Sequence, residues 1–296
     1  MQMVKKILVG ILFLGLGIFI VGLVLTKGDF SKTIAAFTVE DEYEFVEQTK
    51  VEEINTIYID VVSNNIIFHK SEDGEVKVEY YESEYDKIAV NIANNRLSII
   101  GQYKQKFRFF SFRIKPNKLK DINIYIPNTF NGNADIEIVS GNLKIDGFNL
   151  EEIYTDLTSG NQTLDNLTVR KNAKLNSTSG NIKLNNLDVS GNLYLDLTSG
   201  NVTTNNIKAN TILLDTTSGN SKFYDVTFNN IEADITSGNL DMSIIGNKND
   251  YSADFEVTSG SVLYAGEKYK NQRLNPGKSK NIIIDITSGN SEIIFK

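Results

Sequence analysis

The stretch YLDLTSGNVTTNNIKANTILLDTTSGN, residues 194–220, carries the phrase Asp-x-Thr-Ser-Gly-Asn twice, 19 residues apart. The same turn recurs along the chain and places serines at 140, 159, 179, 199, 218, 237, 259 and 288, at intervals of 19, 20, 20, 19, 19, 22 and 29 residues. A fixed period of this length is typical of a solenoid, in which each repeat stacks on its neighbours.

Between these turns the side chains alternate, since Leu195 and Leu197 flank Asp196 and the same pattern recurs around Asp234 and Asp285. Such alternation is typical of strands with one face buried. Each repeat also carries Asn or Gly at two further points, for example residues 205–206 and 210, where corners need left-handed backbone. The sequence therefore predicts an all-β fold: a single triangular parallel β-helix with about 20 residues per coil, whose winding is expected to be right-handed.

The repeated turn is interpreted as a structural corner. Stacked coils lie about 4.8 Å apart, so each Thr, Ser and Asn would lie over its counterpart and could hydrogen-bond along a ladder. The predicted structural turn residues are Ser159, Gly160, Ser179, Gly180, Ser199, Gly200, Ser218, Gly219, Ser237, Gly238, Ser288 and Gly289.

An acid recurs in one outward slot, two residues before the turn threonine. The slot holds Asp156, Asn176, Asp196, Asp215, Asp234, Glu256 and Asp285. A column of carboxylates could attract Ca²⁺, which prefers clustered oxygen ligands. The alternative is that each Asp accepts bonds from nearby Thr hydroxyls and faces water. Because the glycine-rich nonapeptide of calcium-binding β-rolls is absent, the sequence favours the second interpretation, and no metal site or cofactor is predicted.

The N-terminus contains an apolar segment long enough to cross a bilayer. Residues 7–25, ILVGILFLGLGIFIVGLVL, follow Lys5 and Lys6 and contain no polar side chain. A signal peptide would have a shorter apolar stretch and an early small-residue cleavage site, so a retained anchor is expected. The predicted layout is a cytoplasmic tail at 1–6, a transmembrane helix at 7–26, a linker at 27–53 and an extracytoplasmic solenoid at 54–296, with the protein in the cell membrane.

The composition excludes several kinds of site. The chain has no Cys and one His (His69), so thiolate zinc sites, Cys nucleophiles and multi-His metal centres are absent. The lone His is interpreted as an ordinary strand residue. A net charge of −7 argues against nucleic acid as a partner.

Two segments depart from the repeat and are candidates for binding. Residues 103–120, YKQKFRFFSFRIKPNKLK, alternate cations with aromatic rings and contain no acid, and residues 266–280, GEKYKNQRLNPGKSK, are interpreted as a loop inserted between the last two coils. The candidate residues for an anionic wall polymer or lipid surface are Lys104, Lys106, Arg108, Arg113, Lys115, Lys268, Lys270 and Arg273. The alternative is that the Phe residues cover the open end of the solenoid while the cations face water.

Two stretches before the clean repeats have a recognisable order. INTIYIDVVSNNIIFHKSEDGEVKVEY (54–80) is interpreted as a degenerate first coil, and DINIYIPNTFNGNADIEIVSGNLKID (121–146) leads into the Ser-Gly-Asn series. Over residues 45–296 the chain resembles the bacterial family of "putative adhesin" β-strand-repeat proteins, which includes the LiaG-like membrane proteins of envelope-stress loci. The resemblance implies a non-catalytic, surface-exposed β-solenoid and brings no catalytic residues with it.

These observations predict a membrane-anchored adhesion, cell-envelope binding or scaffold module, and not an enzyme. One alternative is an accessory protein of an envelope stress response that acts through a membrane partner. A remote alternative is a polysaccharide-cleaving β-helix, which the short uniform turns disfavour. The chain finishes on NIIIDITSGNSEIIFK with no obvious cap, so end-to-end self-association is a further expectation.

Overall fold

The structure is a computed structural model of the 296-residue chain. It describes residues 17, 20–29, 32, 38–39, 41–103, 112–113 and 116–296. Most of the predicted transmembrane segment at 7–26 lies outside these residues, although 20–25 are helical. Within the described part of the chain, no helix combines the length and the apolar character needed to span a membrane. The anchor therefore stays a prediction.

Strands make up most of the described chain and fall into three groups. The N-terminal group is β1 (Thr38–Val39), β2 (Glu44–Lys50), β3 (Thr56–Val61), β4 (Asn65–Ser71), β5 (Val76–Glu82), β6 (Asp86–Ala93), β7 (Arg96–Tyr103), β8 (Phe112–Arg113) and β9 (Asp121–Pro127). The central group is β10 (Asn133–Ser140), β11 (Leu143–Asp146), β12 (Asn149–Leu150), β13 (Glu152–Ser159), β14 (Gln162–Val169), β15 (Ala173–Ser179), β16 (Ile182–Ser199), β17 (Val202–Ser218), β18 (Ser221–Thr227), β19 (Asn230–Ser237) and β20 (Leu240–Ile244). The C-terminal group is β21 (Tyr251–Tyr264), β22 (Glu267–Tyr269), β23 (Gln272–Leu274) and β24 (Lys280–Phe295).

Each central coil has three sides. Face A ends at the Ser-Gly-Asn turn, as in residues 153–159; face B follows the turn, as in 162–165; face C is the short third side, as in 167–169. Parallel pairing joins each side to the same side of the next coil: Thr155 lies opposite Leu175 on face A, Leu164 opposite Leu184 on face B, and Leu167 opposite Leu187 on face C. The predicted three-sided solenoid with about 20 residues per coil is confirmed, and its handedness stays a prediction.

The inward side chains of the three faces form one continuous core. On face A, Ile59, Ile136, Leu175 and Leu195 are buried in successive layers. Thr155 interrupts this row, and its hydroxyl donates to Gln162 Oε1 at 2.5 Å. Because each aliphatic side chain is covered by its neighbours above and below, a coil is stable only as part of the stack.

The corner glycines allow the coils to approach closely. At Gly160, Gly180 and Gly200 the backbone φ is positive, and each amide donates to the serine carbonyl of the next coil. A Cβ added to Gly200 would lie 1.8 Å from the carbonyl oxygen of Gly180, and the same conflict recurs at the other corner glycines. Glycine is therefore required at this corner both for its backbone conformation and for the missing side chain.

The asparagine beside each corner glycine forms a ladder along the solenoid. The backbone amide and the side-chain amide of Asn201 both donate to Asn181 Oδ1, at 3.0 and 3.1 Å. The ladder continues through Asn65, Asn142, Asn161, Asn181, Asn201, Asn220, Asn239 and Asn290. The predicted hydrogen-bond ladder is therefore confirmed for asparagine, and the predicted turn residues lie at the corner beside it.

The other two corners carry shorter ladders. Asn206 donates to Asn186 Oδ1 at 2.9 Å at the corner between faces B and C, where both residues have positive φ. At the third corner Asn229 donates to Asn210 Oδ1 at 2.9 Å. Asparagine suits the corner between faces B and C because it accepts left-handed backbone. At the third corner Asn210 and Asn229 do not have positive φ, so the expected left-handed backbone is absent at these two residues, and asparagine serves there as both donor and acceptor.

At the N-terminal end the order of the coils in space differs from their order in the chain. β7 and β9 lie outside the first coil, with Leu97 opposite Ile57 and Ile122 opposite Ile66. β6 then pairs antiparallel with β7, and β5 and β2 extend the other side as antiparallel strands on β9. The sheet thus includes β2, which lies within the segment that the sequence assigned to a linker.

At the C-terminal end the last strand of the chain is an interior strand. β24 lies between β19 and β21, so that Ser288 is opposite both Ser237 and Ser259. The prediction that the chain ends on an uncapped final coil is wrong, because β21 is the outer strand and carries β22 and β23 as antiparallel strands. The serine intervals of 22 and 29 residues near the C-terminus arise because the chain first forms the outer strand β21 and then returns as β24, between β19 and β21.

Aromatic side chains close the core beneath this end. Phe255 packs against Tyr264 with ring centroids 5.5 Å apart, and Tyr264 packs against Tyr269 of β22 at 6.4 Å. Burial raises the pKa of Tyr264 to about 12. The end is therefore covered by large rings, which hide the apolar interior from water.

Replacing a corner glycine by alanine should destabilise the solenoid far more than the same change in a loop. Gly200→Ala brings a Cβ against the backbone of the preceding coil at Gly180, whereas Gly277 also has positive φ (91°) but has no atom within 4 Å of the added Cβ. We expect a loss of about 3 kcal/mol or more for Gly200→Ala and about 1 kcal/mol for Gly277→Ala in urea unfolding. Equal losses would show that the close contact between coils is unimportant.

Candidate binding surfaces

The basic-aromatic segment that the sequence singled out is only partly described. Lys104, Lys106, Arg108 and Lys115 lie outside the described residues, and Arg113 belongs to β8, which pairs in parallel with β1. In the chain the segment falls between β7 and β9, at the position where the other coils have their Ser-Gly-Asn corner. It is therefore an insertion at the corner of the outermost coil.

The structure separates the three cations of the other predicted segment. Lys268 is in β22, opposite Leu263 on face B. Lys270 and Arg273 instead line a cleft of about 810 Å³ at the end of face A, whose walls include Asp254, Glu256 and Asp285. Arg273 Nε lies 4.0 Å from Asp254 Oδ2. These two cations thus face carboxylates, which offset the charge that an anionic polymer would bind.

The outward acids of face A form the predicted column. We call it the acidic column, and in spatial order it is Asp60, Glu137, Asp156, Asn176, Asp196, Asp215, Asp234, Asp285 and Glu256. The pKa of the Asp215 carboxyl is raised by desolvation and by the charges of Asp196 and Asp234. The pKa of Glu137 is likewise raised by desolvation and by Asp60, Asp135 and Asp156. The column is therefore a row of mutually repelling charges.

The expected hydrogen bonds from threonine to these acids are not found. Among the described residues, no Thr hydroxyl donates to a carboxylate of the acidic column; Asp156 instead accepts from the Tyr154 hydroxyl at 3.4 Å. Within the same residues no group of three or more His, Asp or Glu side chains is arranged to hold a metal ion.

A second outward column lies two residues before the acidic column on each strand. We call it the tyrosine column, and its members are Tyr58, Asp135, Tyr154, Lys174, Tyr194, Leu213, Glu232, Ile283 and Asp254. Tyrosine thus occupies alternate coils in the N-terminal half of face A. The sequence carries this signal, since Tyr154 and Tyr194 stand at equivalent places in alternate repeats, whereas the predicted binding residues all lie in the irregular segments.

The three tyrosines are partly buried and are held by polar neighbours. Asn192 Nδ2 donates to the Tyr194 hydroxyl at 2.9 Å, and Asn176 Nδ2 donates to the Tyr154 hydroxyl at 3.5 Å. The Arg96 guanidinium lies 4.5 Å from the centre of the Tyr58 ring. Burial, followed by the nearby Asp60 or Asp156 charge, raises the pKa of Tyr58 and Tyr154, so both phenols stay protonated at neutral pH.

Two acceptors around Tyr154 have no partner among the described residues. These are Asp135 Oδ1, on the neighbouring strand of the tyrosine column, and Asn176 Oδ1, in the acidic column. Both atoms are inaccessible to solvent in the free surface. A buried acceptor left without a donor costs about 1–3 kcal/mol, so this part of face A is less stable than it would be with both acceptors paired.

A shallow groove of about 450 Å³ runs beside the tyrosine column. It crosses five coils and is lined by Asp135, Tyr154, Lys174 and Tyr194 on one side. On the other side it is lined by the polar residues Thr56, Asn133, Glu152 and Asn172. The groove therefore follows the axis of the solenoid and combines aromatic rings with hydrogen-bonding side chains.

The single histidine lies on face B and is part of a packed cluster. His69 Nε2 is 2.9 Å from Asn123 Oδ1, and its ring stacks on Tyr125 with centroids 4.8 Å apart. The Lys77 ammonium lies 4.1 Å from the Tyr125 ring and 2.7 Å from Glu79 Oε1. These contacts agree with the interpretation of His69 as a strand residue.

Comparison with known proteins identifies the fold. A family model described as Toastrack DUF4097 matches residues 54–293. A "putative adhesin" from Bacteroides fragilis superposes with a TM-score of 0.55 at 18% identity and covers 86% of this chain and 100% of its own. A "putative adhesin" from Parabacteroides distasonis gives 0.51 at 15% identity, covering 87% and 100%. No curated protein matches the sequence significantly. At these identities the superpositions establish a common fold.

Removing one charge from the middle of the acidic column should stabilise the folded protein. The pKa of Asp215 is raised above its ordinary value of 3.8, so the repulsion is absent below that value and grows as pH rises through the folded pKa. We expect Asp215→Asn to gain about 0.5 kcal/mol at pH 7, within the range for cross-strand charge pairs, and to gain nothing at pH 3. Denaturant unfolding at both pH values measures the difference.

Asp188→Asn is the matched control. Asp188 also points outward, but it pairs with Lys208 at 3.0 Å, so its removal should give no gain at pH 7. A stability gain for Asp188→Asn equal to that for Asp215→Asn would contradict an origin in the acidic column.

Proposed function

The chain belongs to the Toastrack DUF4097 family, and we propose that it is a non-catalytic binding module displayed at the bacterial cell surface. The observation that carries the proposal is the long, open face A, on which a polar groove and two ordered columns run along a solenoid closed at both ends. A rigid stack with an exposed regular face suits contact with an extended polymer better than enclosure of a small substrate.

The arrangement of the carboxylates supports a non-catalytic role. General acid–base catalysis needs groups whose surroundings move their pKa values apart, usually within a closed site. On face A the acids instead recur in most coils of an open surface, and the pKa of Glu137 and that of Asp215 move in the same direction. His69, the one imidazole, is on a different face and already bonds to Asn123.

The anchor is the second part of the proposal. Residues 7–25 are apolar and follow two lysines, which supports a single helix with its N-terminus in the cytoplasm and residues 27–296 outside. The strand pair between Thr38–Val39 and Phe112–Arg113 ties the chain just after this segment to the basic-aromatic insertion. This pairing supports a position for the insertion near the membrane surface, where anionic headgroups or wall polymers lie.

The anchor can be tested by fractionation. We expect the full-length chain with a C-terminal tag to stay in the membrane after alkaline extraction and to lose the tag when protease is added to intact protoplasts. Leu14→Arg with Phe19→Arg adds about 5–7 kcal/mol to the insertion free energy and should release the protein from the membrane. Retention of this variant in the membrane, or a tag that resists protease, would contradict the proposed topology.

The binding role can be tested with isolated cell walls of the producing bacterium. We expect full-length protein in nanodiscs of neutral lipid to sediment with walls, while empty nanodiscs stay in solution. Walls stripped of phosphodiester-linked anionic polymers then separate the two classes of ligand. Loss of binding on stripping assigns the ligand to the anionic polymer, and undiminished binding to stripped walls assigns it to the glycan. A protein that never sediments with walls is not a wall-binding module.

A further inference from the structure

We propose that the tyrosine column and its groove form a binding track for an uncharged linear polysaccharide that lies along the solenoid axis. This inference rests on the proposed function and names its surface and its ligand class. It goes beyond the predicted cationic residues, since the described ones among them, Lys268, Lys270 and Arg273, do not line the groove.

The spacing of the tyrosines fits a sugar polymer. Tyr58, Tyr154 and Tyr194 are separated by two strands each, or about 9.6 Å at 4.8 Å per strand. In an extended polysaccharide each sugar advances the chain by about as much as one strand spacing. A chain whose sugars alternate in orientation would therefore present the same apolar C–H face to every tyrosine. The exposed Lys174 lies 5.7 Å from the Tyr154 ring and can move aside for a sugar.

The polar side chains that line the groove fit the hydroxyls of a sugar. Thr56, Asn133, Glu152 and Asn172 lie along the groove beside the tyrosine column. They can exchange hydrogen bonds with the hydroxyl groups at the edges of a sugar that stacks on Tyr154. Aromatic rings that pack against C–H groups, combined with polar side chains beside them, are what an amphipathic sugar ring requires.

The charges around the groove select against an anionic occupant. The acidic column runs beside the tyrosine column at a distance of two residues along each strand, about 6.6 Å, and Asp60, Asp156 and Asp196 lie next to the three tyrosines. These carboxylates repel an anionic polymer. Lys174 within the column and Arg96 against Tyr58 offset only part of that negative charge, and the packing of sugar C–H groups on the rings requires no charge on the ligand.

The test is calorimetric titration of the full-length protein in neutral-lipid nanodiscs with defined oligosaccharides. The uncharged probes are β-1,4-linked N-acetylglucosamine and glucose oligomers of two to six sugars. The charged controls are hexamers of galacturonate and of glucosamine. We expect at least one uncharged series to bind, with affinity that rises steeply from the disaccharide to the tetrasaccharide, because only the longer chain reaches both Tyr154 and Tyr194. The galacturonate hexamer should bind at least tenfold more weakly. Binding of the glucosamine hexamer to the carboxylates should vanish at high salt, whereas binding of the uncharged oligomers should not change.

The variants separate the track from the rest of the surface. Tyr154→Ala and Tyr194→Ala should each weaken binding of the uncharged hexamer at least fivefold. Tyr154→Ala removes the middle ring and leaves no two tyrosines within reach of a tetrasaccharide, so it should abolish the rise in affinity between disaccharide and tetrasaccharide. Tyr224→Ala is the matched control, because Tyr224 is 43% exposed on β18 and lies outside the groove, and it should bind like the unchanged protein. Thermal melts of all variants verify that the fold is retained.

The outcomes distinguish this inference from the proposed function. If the protein sediments with walls but binds no uncharged oligomer, or if the Tyr154→Ala/Tyr194→Ala double variant sediments with walls as well as the unchanged protein, the track is overturned and the wall-binding function stands. Tighter binding of the galacturonate hexamer than of the uncharged hexamers also overturns it. A protein that binds neither the walls nor any of the oligomers overturns both proposals.

Discussion

The close stacking of backbone on backbone at the Ser-Gly-Asn corner is the contact on which the rest of the molecule depends. A carbonyl oxygen of one coil occupies the place where a Cβ of the next would be, so the corner accepts only glycine. The asparagine beside it then receives two donors from the following coil and fixes the register. Once the corners are fixed, the strands between them must pair in parallel, and their inward side chains must fall in rows.

This constraint leaves the outward side chains of each face free to vary, and the two columns of face A differ in this respect. The acidic column is nearly uniform, with Asn176 as the exception in its middle. The tyrosine column varies from coil to coil and brings together aromatic, acidic and basic side chains. The uniform acidic column follows from repetition of the coil. The tyrosine column is also on the outer surface but differs from coil to coil, so its side chains can recognise a particular ligand.

The two ends are closed by strands that leave the order of the repeat. At each end the chain builds an outer coil whose place in space does not follow its place in the sequence, and antiparallel strands then cover the outer edge. At the C-terminal end Phe255, Tyr264 and Tyr269 fill the space that the next coil would occupy. A parallel stack has no internal means of ending, because each coil exposes an apolar layer and a row of unpaired backbone groups to the next.

The sequence by itself determined the three-sided coil, its period and its corners, because glycine, asparagine and alternating aliphatic residues act locally and recur at fixed intervals. It also carried the equivalence of Tyr154 and Tyr194, which only the strand register turned into a column with Tyr58. The reversed coil order at both ends, the interior position of β24 and the acceptors left without donors around Tyr154 were decided by tertiary structure. They depend on which strands meet across the stack, and strands that are adjacent in space there come from distant parts of the chain.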